Sequence, residues 1–314
     1  MIIGKNIGDY RVLAKTQIGE SGPFYKAVHI SQRQTFALKL LRGPLERENP
    51  IHQQFLKRLE MAEALYHPHI VRISPSETHN DITLIPMEFL YGQNLSEKIA
   101  DGASTLDFTL TVALQAAGAL QYAHEAGMVH GHLTSNNLSL SVEGDLKIWD
   151  FAFAEIPAEM DFSDSEDTPH AAYFGKTLRP PLSKYAYLSP EQVEGNSADE
   201  RSDLFSLGVI LYELLLGEFL FEGENLDELY HQIKERDLPK LNQVRPEIPS
   251  SWTKMINALL SKNPAERYPS AQAFLEDLRK INFGIPLEKL SFQQADPNLS
   301  RRSFFRRFLG EGKA

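Results

Sequence analysis

The sequence predicts an α+β protein of two unequal lobes, a small β-rich one followed by a larger helical one. Three observations predict it. Residues 10 to 42 alternate apolar and polar side chains around breaks such as "GESG", a pattern of strands and tight turns. After residue 200 every strong apolar pattern recurs at helical spacing. The change of character between these regions puts a cleft where the two halves join, and it divides the chain into 1–88, 89–283 and a tail, 284–314.

The elements follow in order. "HQQFLKRLEMAEALYH" (52–67) sets Phe55, Leu59, Ala62 and Leu65 at helical spacing. "DITLIPMEFL" reads as a strand entering a connector. "TLDFTLTVALQAAGALQYAHEAG" reads as a long, largely buried helix, with Asp107 near its start and Gly127 just past its end. "SLSVEGDLKIWDF" returns to short strands around a Gly turn. The longest apolar-rich run, 204–221, is interrupted by Glu213 and Glu218 and has no flanking basic anchors. It reads as a buried core helix, not a membrane span. Residues 154–170 are acidic with two prolines and read as a mobile loop. Near the C-terminus, Arg301, Arg302, Arg306 and Arg307 lie among Phe304, Phe305, Phe308 and Leu309. That segment reads either as a helix docked on the acidic lobe or a frayed end, or as a contact with an anionic membrane or a partner.

Composition narrows the function. A chain of 314 residues with 42% hydrophobic and 24% charged residues is that of a globular protein. The absence of cysteine excludes disulfides, thiol catalysis and cysteine-ligated metals. A net charge of −10 argues against nucleic acid as a partner, which would need basic surface. The N-terminus lacks the apolar core of a signal peptide, so a cytoplasmic location is expected.

The chemistry-bearing motifs are "IGESGPFYKA", "FALKL", "HPHIV", "IPMEFLYGQNL", "VHGHLTSNNLSL", "LKIWDFAFA", "YLSPEQ" and "NPAERYPSA". In this order and spacing they resemble the catalytic domain of bacterial Ser/Thr protein kinases, from about residue 10 to residue 282. The resemblance implies a bilobal protein-kinase-like fold and a set of roles. Lys39 would face nucleotide phosphates. Gly19 and Gly22 would belong to the Gly-rich phosphate cover, which looks two residues shorter than the family's. Ala37, Met87, Glu88, Leu90 and Ser139 would surround an adenine, with Phe24 above it. Asn137 and Asp150 would hold metal. Ser189-Pro190-Glu191, Arg267 and Asp203 would be structural.

Departures from the family are concentrated at the chemistry. His132 stands where the family has its catalytic Asp, Thr134 where it has the catalytic-loop Lys, and Gly131 where an Arg receives a phosphorylated loop. Arg58 falls at the helix Glu that should fix Lys39, so Lys39 would turn to Asp150 or Glu60. Lys184 replaces a Thr that contacts the catalytic residues. Trp149, just before the metal turn, is very large, and Ser139 replaces a branched apolar floor residue. A positioned base contributes ~10²–10⁴-fold, and here further positioning groups are lost with it. The expected function is therefore a catalytically impaired kinase-like domain, a pseudokinase that binds, scaffolds or regulates protein partners, either gated by nucleotide or independent of it. The alternatives are an active Ser/Thr kinase with a displaced base and transfer of another group from ATP. Two metal ligands and Lys39 argue for Mg²⁺ and ATP; the loop, roof and floor argue against them.

Overall fold

The computed structural model describes residues 2–16, 22–153, 156, 182–285, 287 and 289–293. Alternating side chains build the small lobe, an antiparallel six-stranded sheet ordered β1-β2-β3-β4-β6-β5. Its strands are β1 (Asn6–Ile7), β2 (Tyr10–Thr16), β3 (Phe24–His29), β4 (Thr35–Arg42), β5 (Glu77–His79) and β6 (Ile82–Glu88). The two-residue side-chain period sorts β4 cleanly. Leu38 and Leu40 join Tyr10, Val12, Tyr25 and Leu84 on one face. Ala37 and Leu41 join the core on the other face, which receives Phe55, Leu59 and Ala62 of helix α1 (Pro50–Ala64). Lys39 shares that second parity and is fully buried there.

The large lobe begins with β7 (Gly92–Asn94), α2 (Leu95–Ala100) and α3 (Leu106–Glu125). Strand β8 (Leu138–Ser141) pairs with β7 on one side and with β9 (Leu146–Ile148) on the other in a three-stranded sheet. Then come α4 (Pro190–Val193), α5 (Glu200–Leu216), α6 (Leu226–Glu235), α7 (Leu241–Val244), α8 (Ser250–Leu259) and α9 (Ala271–Asn282). Thr105 caps α3 through Phe108 N–H, and α3 ends before Gly127, as its pattern predicts.

Helix α5 is the centre of this lobe and is buried from Ser202 to Leu215. It is apolar all round because it is surrounded. Asp199 starts it with a capping box, and Gly217 ends it at φ 71°. A Cβ at Gly217 would run into the backbone of Gly102 and Ala103, so both conformation and space require Gly there. No helix among the described residues is long and apolar enough to cross a membrane.

The large lobe extends beyond residue 283. Leu287 and Leu290 are buried, Ser291 N–H donates to Asp277 at 2.9 Å, and Phe292 lies edge-on to Tyr268 at 4.8 Å. The packed chain therefore runs ten residues further than the expected boundary, because a Leu-x-x-Leu spacing is too short to register as an element. The acidic segment 154–170 and the Arg/Phe segment 301–309 lie outside the described residues, apart from Ile156.

The lobes meet along a backbone seam. Val71 N–H donates to Ile148 O at 3.0 Å, and Ile148 N–H to His69 O at 2.9 Å. Beside it, Lys147 pairs with Glu88 at 2.7 Å.

Candidate functional site

The loop 129–137 crosses the cleft between α3 and β8, and α5 fixes it from below. Asp203 accepts from His130 N–H at 2.8 Å, Gly131 N–H at 2.7 Å and the His124 ring at 2.8 Å. Burial pushes the Asp203 carboxyl up, but the bond and charge of His124 and the backbone donors outweigh it and hold it below the usual range. His130 is buried, and desolvation, only partly opposed by Asp203, drives its pKa down to about 4. It is neutral at pH 7. Its Nδ1 accepts from His132 N–H at 3.3 Å, so its Nε2 carries the proton that reaches Trp149 O at 2.8 Å. His130 thus links the loop to the turn carrying Asp150.

His132, at the base position, is exposed. Thr134 is buried and donates to Asn137 Oδ1 at 2.7 Å, while Asn137 Nδ2 donates to Asp150 at 3.4 Å. Asp150 sits in the left-handed region at φ 65°, which Asp tolerates better than most residues. The structure therefore brings Thr134, Asn137 and Asp150 together, with both ends of the Asn137 amide engaged by protein.

The small-lobe expectations divide. Lys39 places its ammonium 5.3 Å from the centre of the Phe24 ring. Glu60 is not its partner; that carboxylate pairs with Arg47 at 3.0 Å on the surface. The cover loop is not short. The ladder sets Thr16 opposite Phe24, which leaves residues 17–23 between them. Counted back from Phe24, the pattern G-x-G-x-x-G-x-V puts its glycines at 17, 19 and 22. In that register Gly19 and Gly22 match the second and third glycines of the pattern, and Gln17 stands at the first. Gly19 itself lies outside the described residues; Gly22 has φ 93°.

Ala37 and Met87 face one another across β4 and β6 and are buried. Glu88 N–H donates to Arg72 O at 2.9 Å, and its side chain holds Lys147. Leu90 and Ser139 instead line a cavity of about 280 Å³ with Thr16, Asn94, Glu97 and Trp149. Lys39, Met87 and Asp150 are not part of its lining.

Trp149 explains the separation. It is 1% exposed, its Nε1–H donates to Ser139 Oγ at 2.9 Å, and its ring meets Phe24 edge-on at 6.4 Å. The indole thus touches both the residue at the floor position and the residue at the roof position of the adenine slot. Phe153 adds a second edge-on contact to Phe24 at 5.8 Å and abuts Phe55 at 6.4 Å. Behind Trp149 only about 10 Å³ is left, enough for one water at most. Among the described residues, the places that a base and a metal would take are crowded. The indole lies between the floor and roof positions of the adenine slot, and Asn137 Oδ1 is engaged by Thr134.

The structural residues are as expected. Glu191 and Arg267 form a bidentate pair, 2.7 Å at each contact, with Ser202 adding a donor at 2.8 Å. Burial alone would raise Glu191; the Arg267 pair overcomes it and lowers it to about 2. Lys184 lies on a 3-10 turn, Ser183–Tyr187, with its ammonium 5.0 Å from the Tyr185 ring. Sequence reasoning missed two contacts of the loop. Arg58 Nη2 donates to Val129 O at 2.9 Å and His130 O at 2.7 Å, and Gln192 donates to Gly131 O at 2.6 Å. It also read Trp149 and Ser139 as separate departures. A large residue gained beside a small polar one is itself a signal of contact.

The family model for the protein kinase domain matches residues 10–278. A probable serine/threonine-protein kinase of Clostridium perfringens is 30% identical over 284 residues, covering 89% of this chain and 39% of that protein. The serine/threonine-protein kinase PrkC of Bacillus subtilis is 29% identical over 281 residues, covering 89% and 41%. This chain therefore spans about two fifths of their length. Among solved structures, the PknI kinase domain of Mycobacterium tuberculosis aligns at TM-score 0.65 with 21% identity, covering 89% of this chain and 99% of that one. At that identity the last comparison speaks for the fold alone. With the fold, the loop geometry and a match along most of its length in agreement, the chain belongs to the protein kinase domain family, as a bacterial serine/threonine-type kinase domain.

Proposed function

We propose that this protein is a catalytically impaired kinase domain that works as a binding or scaffold module for a protein partner. The observation that carries the reading is Trp149, buried between Phe24 and Ser139 where a base would lie. The exposed His132 at the base position and Thr134 turned onto Asn137 support it. Phosphoryl transfer works by positioning and charge stabilisation, and each of these changes removes a positioning element. A second reading, an active Ser/Thr kinase with a displaced base, is favoured by one observation: Asn137 and Asp150 are retained 3.4 Å apart.

Thermal unfolding with and without millimolar ATP, in the presence and absence of Mg²⁺, separates the two. A ligand at a hundred times its Kd adds ~2.7 kcal/mol, a shift of several degrees for a domain of this size. The expected result is a shift below about 1 °C, within the error of such a measurement, and no label transfer from ATP to the protein itself or to generic protein. A shift of several degrees that Lys39→Ala removes, together with transfer that His132→Ala abolishes, would establish the active kinase.

A further inference from the structure

We infer that Arg58 is a positioning residue that clamps loop segment 129–132 from the small lobe, fixing helix α1 to the large lobe without nucleotide or phosphorylation. Two positions differ from what the resemblance predicts. Helix α1 carries a cation, Arg58, where the resemblance predicts an anion, and the loop carries Gly131 where it predicts a cation. The structure shows what the relocated cation does. A single guanidinium nitrogen crosses the cleft to Val129 O at 2.9 Å and His130 O at 2.7 Å.

Six backbone groups of this segment then have a protein partner. Its amides at 130 and 131 go to Asp203 from below, and the amide at 132 goes to His130 Nδ1. Its carbonyls at 129 and 130 accept from Arg58, and the carbonyl at 131 accepts from Gln192 on α4. Each donor is a side chain already in place, so nothing external is required to order the loop. Charge-assisted bonds in a half-buried setting are about twice as strong as neutral ones. Arg suits the task because its planar, weakly hydrated guanidinium holds Nη2 between the two carbonyls, whereas the Lys ammonium is a more strongly hydrated charge on a flexible stem. Gly131, at φ 79°, has no side chain with which to sense a phosphate. The inference stands whether or not the cleft takes nucleotide.

Hydrogen exchange read by mass spectrometry on the full chain tests it. In Arg58→Met, peptides covering 128–133 and 50–64 are expected to exchange roughly tenfold faster together. Arg58→Lys should fall between this variant and wild type. Arg47→Met, which removes only a surface pair, should match wild type. Leu275→Ala, buried in α9 and remote from the loop, supplies a comparably destabilised control and should not raise those two peptides selectively. Unchanged exchange at 128–133 in Arg58→Met overturns the proposal. So does Arg58→Lys as fast as Arg58→Met, or the same selective pattern in Leu275→Ala. If Arg58→Met does not fold, the graded comparison of wild type with Arg58→Lys decides. Adding Mg–ATP to wild type reports only on the cleft reading and leaves this one untouched.

Discussion

At the scale of single residues, the cleft is organised by an aromatic side chain and its polar handle. The Trp149 indole buries a large apolar surface, and Ser139 accepts the one hydrogen bond that a buried indole N–H needs. Truncating it leaves a cavity and an orphaned Ser139 hydroxyl. Trp149→Ala should cost ~3–5 kcal/mol, lowering Tm on the order of 10 °C. Urea or thermal unfolding checks this; a loss below about 1 kcal/mol would mean that the side chain is not part of the packed cleft. Counting back from Phe24 gives a full-length cover loop, yet the missing first glycine at 17 disguised the register. Glu60 looked available to Lys39 by spacing, but it lies on the surface with Arg47.

At the scale of elements, α5 does most of the positioning. Its first turn supplies Asp203 to the loop, and its last turns supply Glu213, which is fully buried. Glu213 accepts from Tyr187 at 2.9 Å and from Leu220 N–H at 3.0 Å, and Tyr187 in turn meets Ser135 of the loop at 2.7 Å. Burial outweighs those donors and pushes the Glu213 pKa up to about 8. Between the ordinary 4.5 and about 8 the folded state holds a proton that the unfolded chain has released. Stability from this group is therefore lost as pH rises through that window and levels off above it. Glu213→Gln keeps the shape without the titration. Its urea midpoint should fall less than that of wild type between pH 6 and pH 8; equal slopes would show that Glu213 does not titrate there.

At the scale of the molecule, the two lobes are joined by more than a connector. The seam pairs His69 and Val71 with Ile148, Lys147 holds Glu88, and Arg58 reaches the loop. Buried side chains of both lobes also form one continuous core, which includes Phe55, Met87, Trp149 and Leu207. Urea unfolding should therefore be a single transition, with probes in the small and large lobes giving coincident midpoints. Two separated midpoints would show lobes that fold independently and would weaken the role given to the seam. Coincidence matters for function, because a partner bound to either lobe would then act on the stability of both.

The sequence by itself determined the fold class, the order of the elements and the family. Those follow from local chemistry: alternating strands, helical spacing, Gly127 just past the end of α3, and motifs whose order survives even where their letters change. It also marked the altered positions 58, 131, 132, 134, 139 and 149, though not Gln17, because each could be read against its neighbours in the chain. Only the tertiary structure decided what the altered residues do. Arg58 and Val129 are 71 positions apart, and Trp149 meets Phe24 across the lobes, so neither contact leaves a periodic signature in the chain. Long-range contacts are set by packing of the whole core. There a large side chain fills whatever space its neighbours leave, and a buried cation goes to the nearest carbonyls that need a donor.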